Sequence, residues 1–220
     1  IKIKNNNLIQ INDDVLNIDK HLTKIKKFEP EVCLNFFWEG IPNFSNKMCN
    51  LNLKKNKIIL DYISNINCKK IISTGTCMEY NGLQNQVFEN DIGNKLDIFG
   101  KTKIKIKDYQ EKKCKSNKIN SVWLRLFYVY GINQRKESLI PFVINKIKND
   151  EKIELKNPSM SNDYIFLDDV IKIIENSIYL NDQILTLNVG SGKLVKNQKI
   201  ARTIAKIYKK EYLIVNNFEK

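Results

Sequence analysis

Short apolar runs alternate along the chain with longer, helix-spaced stripes. Val32-Cys33-Leu34-Asn35-Phe36-Phe37 predicts a buried strand, and Gly40 and Pro42 mark the loop after it. From Leu51 to Ile63, apolar residues at 51, 53, 58, 59, 60 and 63 form a helical stripe. Lys70-Ile71-Ile72-Ser73-Thr74-Gly75 predicts a second strand that runs into small polar residues, and a polar loop follows from Asn81 to about Asp97. Residues 101 to about 115 read two ways: Lys-Ile-Lys-Ile-Lys alternates like a strand, while the length and position suit a helix. Ser121 to Phe127 predicts a third strand, closed by Tyr130-Gly131. Strand, helix, strand, helix, strand at this spacing predicts an α/β fold, a parallel sheet with helical crossovers.

Beyond Gly131 the pattern becomes mixed. Leu139 to Ile147 is helical, Ile153-Glu154-Leu155 a short strand and Asn157-Pro158 a turn. Asp168 is the expected N-cap of an apolar helix through Ile178, a more natural role for Asp168-Asp169 than an acid/base pair. Leu185 to Val189 predicts a strand ending at Gly190-Ser191-Gly192, and Ile200 to Tyr208 the last helix. The segment therefore reads as a smaller mixed α/β lobe on the sheet domain.

Charge alters this picture less than its size suggests. The 220 residues carry 37 Lys+Arg against 24 Asp+Glu, a net +13, but only Arg125, Arg135 and Arg202 are arginines. Arginine is the residue favoured for bidentate phosphate and base-edge contacts, so a chain with so little of it is not expected to read nucleic acid specifically. The lysines read as a solvated surface with weak attraction to polyanions. No apolar stretch reaches the roughly 18–20 residues of a membrane span. The five cysteines are scattered and His21 is the single histidine, which disfavours a disulfide framework, a metal site and a Cys–His nucleophile, and suits a reducing cytoplasm.

Several segments, in order, resemble the extended short-chain dehydrogenase/reductase family, the NAD(P)-dependent epimerases and dehydratases of nucleotide sugars. PEVCLNFFWEGIP, from Pro30 to Pro42, resembles the strand and turn that pass beside the cofactor, and Asn50 to Leu60 the helix after it. KKIISTGTCMEY resembles the strand that ends in the catalytic Ser/Thr, here Thr76. WLRLFYVYGINQRKESLIPF, NDYIFLDDV and LNVGSG resemble the later landmarks of the substrate pocket.

The resemblance implies a Rossmann-type, doubly wound parallel sheet, N-terminally incomplete, with a smaller mixed α/β substrate lobe. Residues 1–131 would be a partial dinucleotide-binding domain and 132–220 mainly the lobe, with 163–190 returning to the main domain. It further implies NAD or NADP as cofactor, a nucleotide-sugar substrate, and a homodimer as an assembly open to the chain. Cofactor positions would be Phe36, Phe37, Trp38, Asn52, Ser73, Thr74, Lys103 and Phe127; substrate positions would be Tyr128, Arg135, Asn162 and Tyr164. From composition alone, Phe36, Phe37 and Trp38 read more readily as core than as a ring-stacking platform, which the resemblance brings to near even, and Gly190-Ser191-Gly192 reads as a plain turn.

In the family, a Tyr exchanges the proton of the substrate hydroxyl and a Lys four residues on lowers its pKa. Here the segment is Phe99-Gly100-Lys101-Thr102-Lys103: the lysine is present, and a phenylalanine stands in the tyrosine's place. A ring without an ionisable group cannot pass a proton. Three accounts stay open: a catalytically silent binding member, a substitute hydroxyl at Tyr80 or Thr76 or from water, or a one-base change. A basic polyanion-binding protein is the remaining rival.

Cys77 and Met78 stand where the family's dehydratases carry an acidic pair, which leaves an epimerase or ketoreductase. Glu79 is one residue displaced and, on a strand, would face the other way. GTCMEY with LFYVYG is most similar to the branch that makes deoxy or branched sugars for surface polysaccharides. Two substrate positions depart from the family, Tyr128 for Asn and Asn162 for Arg, with Arg135 or Lys136 as candidates to replace the lost charge. No GxxGxxG turn occurs in the sequence, so the expectation is a fragment lacking roughly 45–60 N-terminal residues that binds a dinucleotide poorly.

Overall fold

The computed structural model describes residues 8–84 and 86–215. They divide into two compact units, one running to Leu124 and taking in Ile178–Leu187, the other made of Arg125–Ser177 and the chain from Asn188. The segment returning to the first unit is thus shorter than the expected 163–190.

The first unit is built on a four-stranded sheet of β1 (Val32–Asn35), β2 (Lys70–Thr76), β3 (Asn120–Leu126) and β6 (Ile184–Val189), in that order, with β1 and β2 parallel. Each of the first three strands coincides with an apolar run in the sequence; β2 and β3 are buried along most of their length, as a covered parallel sheet requires, whereas the edge strand β1 is half-buried with Leu34 exposed. Before them, a 3-10 segment, Val15–His21, runs into the short helix α1 (Leu22–Phe28). The crossover helices are α2 (Asn46–Ser64) and α3 (Ile98–Asn117), which pack on each other.

The ambiguous segment is therefore helix. Asp97 caps it by accepting the Gly100 N–H at 2.7 Å, and Lys118 ends it in the left-handed region at φ 56°. Its buried positions, Gly100, Thr102, Lys103, Ile106, Gln110 and Cys114, recur at helical spacing. Leu60, Ile63, Cys68, Ile71, Ile106, Cys114, Ile119 and Trp123 form the core between sheet and helices. A polar thread crosses it: the Ser73 hydroxyl donates to Gln110 Oε1, and Gln110 Nε2 donates to Ser121 Oγ at 2.9 Å.

The second unit carries a three-stranded sheet, ordered β4 (Tyr128–Tyr130), β5 (Ser161–Phe166) and β7 (Leu194–Lys196), with β4–β5 parallel and β5–β7 antiparallel. Its helices are α4 (Leu139–Lys148), α5 (Leu167–Ser177) and α6 (Asn197–Ile207). Val143 and Ile147 of α4 meet Ala201 and Ala205 of α6, all fully buried, with Ile153, Leu155, Leu213 and Ile214 closing the cluster. Ile153 makes a single parallel bridge to Ile214 where a three-residue strand was expected. Asp168 lies within the first turn of α5 and does not precede it as a cap; there its carboxylate faces the positive end of the helix dipole.

Candidate active site

The site in the first unit begins with the loop after β1. Asn35, Asn52 and Asn56 are buried and clamp this loop to α2. Asn52 accepts the Glu39 N–H at 2.9 Å and donates to the Glu39 carbonyl at 3.0 Å and to the Met48 carbonyl at 3.0 Å. Asn35 donates to Asn56 at 3.0 Å and accepts the Phe37 N–H at 3.3 Å. Asn52, expected beside a cofactor, bonds through its amide to the backbone of Glu39 and Met48 and so ties the loop that carries Trp38 to α2. Phe36 is 47% exposed, and Phe37 lies under the Lys55 ammonium, 5.9 Å from the ring centroid.

Trp38 is the hub. The Phe99 ring meets it edge to face, with centroids 4.9 Å apart and planes at 85°, and Phe44 lies 4.4 Å from Phe99 on another side. Lys103 Nζ sits 4.8 Å from the Trp38 ring and donates to the Thr74 carbonyl at 2.8 Å. Trp38 Nε1 is itself buried with no hydrogen-bond partner. Phe99 and Lys103 are therefore brought together on Trp38, one turn apart on α3. Gly100 lets this turn approach the segment after Thr76, since a Cβ there would come 2.8 Å from the Met78 carbonyl oxygen.

Beyond Thr76 the chain leaves the sheet and turns into a 3-10 segment, Cys77–Tyr80. Thr76 caps it: its hydroxyl accepts the Met78 N–H at 3.2 Å, and Glu79 Oε1 accepts the Thr76 N–H at 2.9 Å. This overturns the strand-face expectation for Glu79. The turn folds its carboxylate back into the core, fully buried, where it also accepts the Trp123 indole N–H at 3.1 and 3.2 Å. Burial pushes the Lys103 ammonium down to about 8, and the Glu79 carboxylate pulls the other way. Ser73, expected at the cofactor, has its hydroxyl committed to Gln110 in the core. Burial drives the Cys33 thiol up to about 12 and the Cys114 thiol up to about 11, so neither is a nucleophile near neutral pH.

In the second unit a cavity of about 560 Å³ is lined by Lys136, Leu139, Phe142, Glu154, Lys156 and Asn197, among others. Asn197 ties two expected substrate residues to it, because its amide oxygen accepts the Tyr164 hydroxyl at 2.8 Å and the Asn162 amide at 3.2 Å. The Tyr128 ring lies 5.6 Å from Tyr164 across paired strands. Arg135 is exposed and does not line the cavity, whereas Lys136 does. Phe127 packs against Gly190, where an added Cβ would come 3.2 Å from its ring. Asp163 holds the 190–192 turn through Ser191 N at 2.7 Å, Ser191 Oγ at 2.6 Å and Gly192 N at 2.8 Å. Glu79 and Asp163 fall inside the quoted segments KKIISTGTCMEY and NDYIFLDDV without being marked there as site residues, and Asn197 lies outside every quoted segment. The one available signal is Gly75, which keeps room for Glu79.

The model of the NAD dependent epimerase/dehydratase family matches residues 5–190. The chain belongs to this family. Among curated relatives, it is 28% identical over 164 residues to dTDP-4-dehydro-6-deoxyglucose reductase of Escherichia coli, covering 72% of this chain and 52% of the relative. It is 33% identical over 87 residues to CDP-abequose synthase of Salmonella muenchen, covering 38% and 29%. The chain thus spans about half the length of the first of these family members and less of the second. Two solved structures share the fold. MoeE5 in complex with UDP-glucuronic acid and NAD superposes with a TM-score of 0.79 at 18% identity, over 90% of this chain and 68% of that one. A tyrosine-to-phenylalanine mutant of UDP-glucuronic acid 4-epimerase from Bacillus cereus, in complex with UDP-4-deoxy-4-fluoro-glucuronic acid and NAD, gives 0.78 at 21% identity, over 89% and 65%.

Proposed function

We propose that the chain carries the nicotinamide-side and substrate-side residues of an NAD(P)-dependent nucleotide-sugar epimerase or ketoreductase whose proton-transfer position is occupied by Phe99. The observation that supports this best is the cluster of Lys103 and Phe99, one turn apart on α3, around Trp38 of the loop after β1, with α3 approaching the turn capped by Thr76 through Gly100. The residues fit the nicotinamide half of a dinucleotide: Lys103 is a buried cation with one hydrogen bond made, and Trp38 offers an unpartnered indole N–H. When bound, the cofactor supplies hydride transfer at a sugar carbon.

The protein's own part is to hold the reacting groups. The Thr76 hydroxyl, with its oxygen already accepting from Met78, keeps its hydrogen to donate to a substrate oxygen. Lys103 supplies positive charge from a site that water does not screen. Phe99 contributes apolar surface and no proton. The cavity bordered by Leu139 and Phe142, with Lys136 and Lys156 at hand, suits the base and phosphates of a nucleoside diphosphate. The reductase and abequose-synthase relatives favour a deoxysugar nucleotide as substrate. All five thiols are free, which suits a reducing cytoplasm.

The test is Phe99→Tyr. With a deoxyketosugar nucleotide and NADH or NADPH, restoring the phenol is expected to raise turnover by roughly 10²–10⁴-fold, the usual contribution of general acid–base catalysis. If binding is intact but the variant gains nothing, the chain is a silent dinucleotide- or sugar-nucleotide-binding member. This second reading has its own support in the Phe99 ring, which is packed between Trp38 and Phe44 as core aromatics are. If neither cofactor nor sugar nucleotide binds, the proposal fails.

A further inference from the structure

Basic residues gather on one outer face of the second unit. From Gln183 to Lys210 the chain has seven lysines and arginines and no acidic residue. Helix α6 buries Ala201 and Ala205 against α4 and leaves Lys199, Arg202, Thr203 and Lys206 exposed, at the i, i+3, i+4, i+7 spacing of a single face. Lys196, one residue before the helix, joins them, and with Gln198 they line an open groove of about 360 Å³. Lysines on other surfaces have counter-charges, Lys69 in Glu31, Lys107 in Glu111 and Lys113 in Asp61. Among the described residues, none of the four cations of the groove has an ion pair or a side-chain hydrogen bond. The acidic groups on neighbouring elements are committed elsewhere: Asp163 of β5 holds the 190–192 turn, and Asp150 pairs with Lys210. Like charges three and four residues apart repel, so an anionic partner would stabilise this face.

Charge alone does not choose among polyanions, but two exposed aliphatics do. Leu194 and Ile207 are 75% and 73% exposed. Leu194 lies two residues before Lys196 on β7, so both project to the same side of that strand, and Ile207 follows Lys206 at the end of α6. A nucleic-acid backbone offers these side chains no apolar surface, whereas a bilayer interface takes cations and aliphatics together. A groove with a single arginine also lacks the paired donors suited to bidentate phosphate or base recognition. We propose that the outer face of α6 and β7 docks on an anionic lipid bilayer, with Lys196, Lys199, Arg202 and Lys206 against headgroup phosphates and Leu194 and Ile207 entering the interface. No helix among the described residues is long and apolar enough to cross a membrane, so the contact is a peripheral one. It is independent of the roles given to Thr76, Phe99 and Lys103.

The experiment is co-sedimentation of the full chain with vesicles of phosphatidylcholine mixed with phosphatidylglycerol, and with vesicles of phosphatidylcholine alone. Binding is expected to the mixed vesicles only and to weaken as salt is raised. Equal binding to both, or to neither, overturns the proposal. Replacing Lys199, Arg202 and Lys206 together by Gln should lower the partition coefficient roughly 10²-fold, at about five-fold for each charge removed near an anionic surface. These side chains are exposed, so the variant should keep the parent's melting temperature. The control replaces Lys105, Lys112 and Lys115 by Gln, three exposed lysines of α3 that change the net charge equally. It is expected to bind as the parent does; an equal loss in the control would mean that overall charge, and not this face, drives binding. Leu194→Ser with Ile207→Ser leaves every charge in place and should still reduce binding to the mixed vesicles. If that pair has no effect, and duplex DNA or heparin is bound as tightly as the vesicles, the face is a general polyanion surface and the bilayer assignment fails.

Discussion

At the scale of single residues, the site depends on close approaches that only small side chains permit. Gly75 is the sharpest case. It has no unusual backbone angle, and its role is steric: a methyl group there would overlap both Trp123 Nε1 and Glu79 Oε1. Both neighbours are buried, so relief must come from displacing the Glu79 carboxylate or the Trp123 indole within the core. Gly75→Ala is therefore expected to destabilise the chain by about 1–3 kcal/mol, the usual cost of overpacking, read as a lower urea midpoint with an unchanged slope. A midpoint within error of the parent would mean that the Glu79–Trp123 bond is dispensable. The same neighbourhood divides what is legible in the sequence from what is not. Thr76, Phe99 and Lys103 are legible only through the family resemblance, in which positions 99 and 103 fall one helical turn apart. Glu79 gives no such signal, since its direction depends on where β2 stops, and a 3-10 turn of four residues leaves no periodicity to find.

At the scale of elements, legibility follows what covers each one. The apolar runs at Ile71 and Val122 are readable because those strands are buried along most of their length, and the run at Val32 is readable by residue type although β1 is a half-buried edge strand. Helix α3 is not, because its inward face is filled by Thr102, Lys103 and Gln110, whose polar groups are met by the Ile98 and Thr74 carbonyls and by Ser73 and Ser121. The short strands β4 and β7, three residues each, are likewise too brief to show a pattern. The loop after β1 is a different case: its sequence is conspicuously aromatic, but its conformation is set from α2 by asparagines. Asn52→Ala would leave the Glu39 N–H and carbonyl without their buried partner, a loss of about 1–3 kcal/mol. The same variant should loosen Trp38 and shift its fluorescence to the red as water reaches the indole. Loss of stability without a spectral change would assign Asn52 to α2 alone.

At the scale of the whole molecule, individual ion pairs and hydrogen bonds, rather than the net charge of +13, set how stability depends on pH. Hydrogen-bonded neighbours hold several carboxylates below their ordinary values. His21 and Asn17 bring Asp13 to about 2, the Leu16 N–H and Lys55 lower Asp14, and Lys69 lowers Glu31. In Asp61 burial opposes the shift, but Lys113 and Tyr109 outweigh it. A carboxylate with a depressed folded pKa stabilises the chain above its unfolded value, and that contribution is lost as pH falls through the folded one. Lys69 and Lys210 are raised by the partners Glu31 and Asp150, so their contribution holds until pH climbs past about 10.5. Lys103 runs the other way. Its folded value near 8 lies below its unfolded value of 10.5, so its penalty is full below pH 8 and is relieved between those limits. Thermal midpoints are therefore expected to be flat from about pH 5 to 8 and to fall steadily below about pH 4. Between pH 8 and 10 the parent chain should gain stability relative to Lys103→Met, which has no proton to release. If the two melting curves track each other across that interval, Lys103 is ordinarily solvated and the buried cation at the centre of the site is not there.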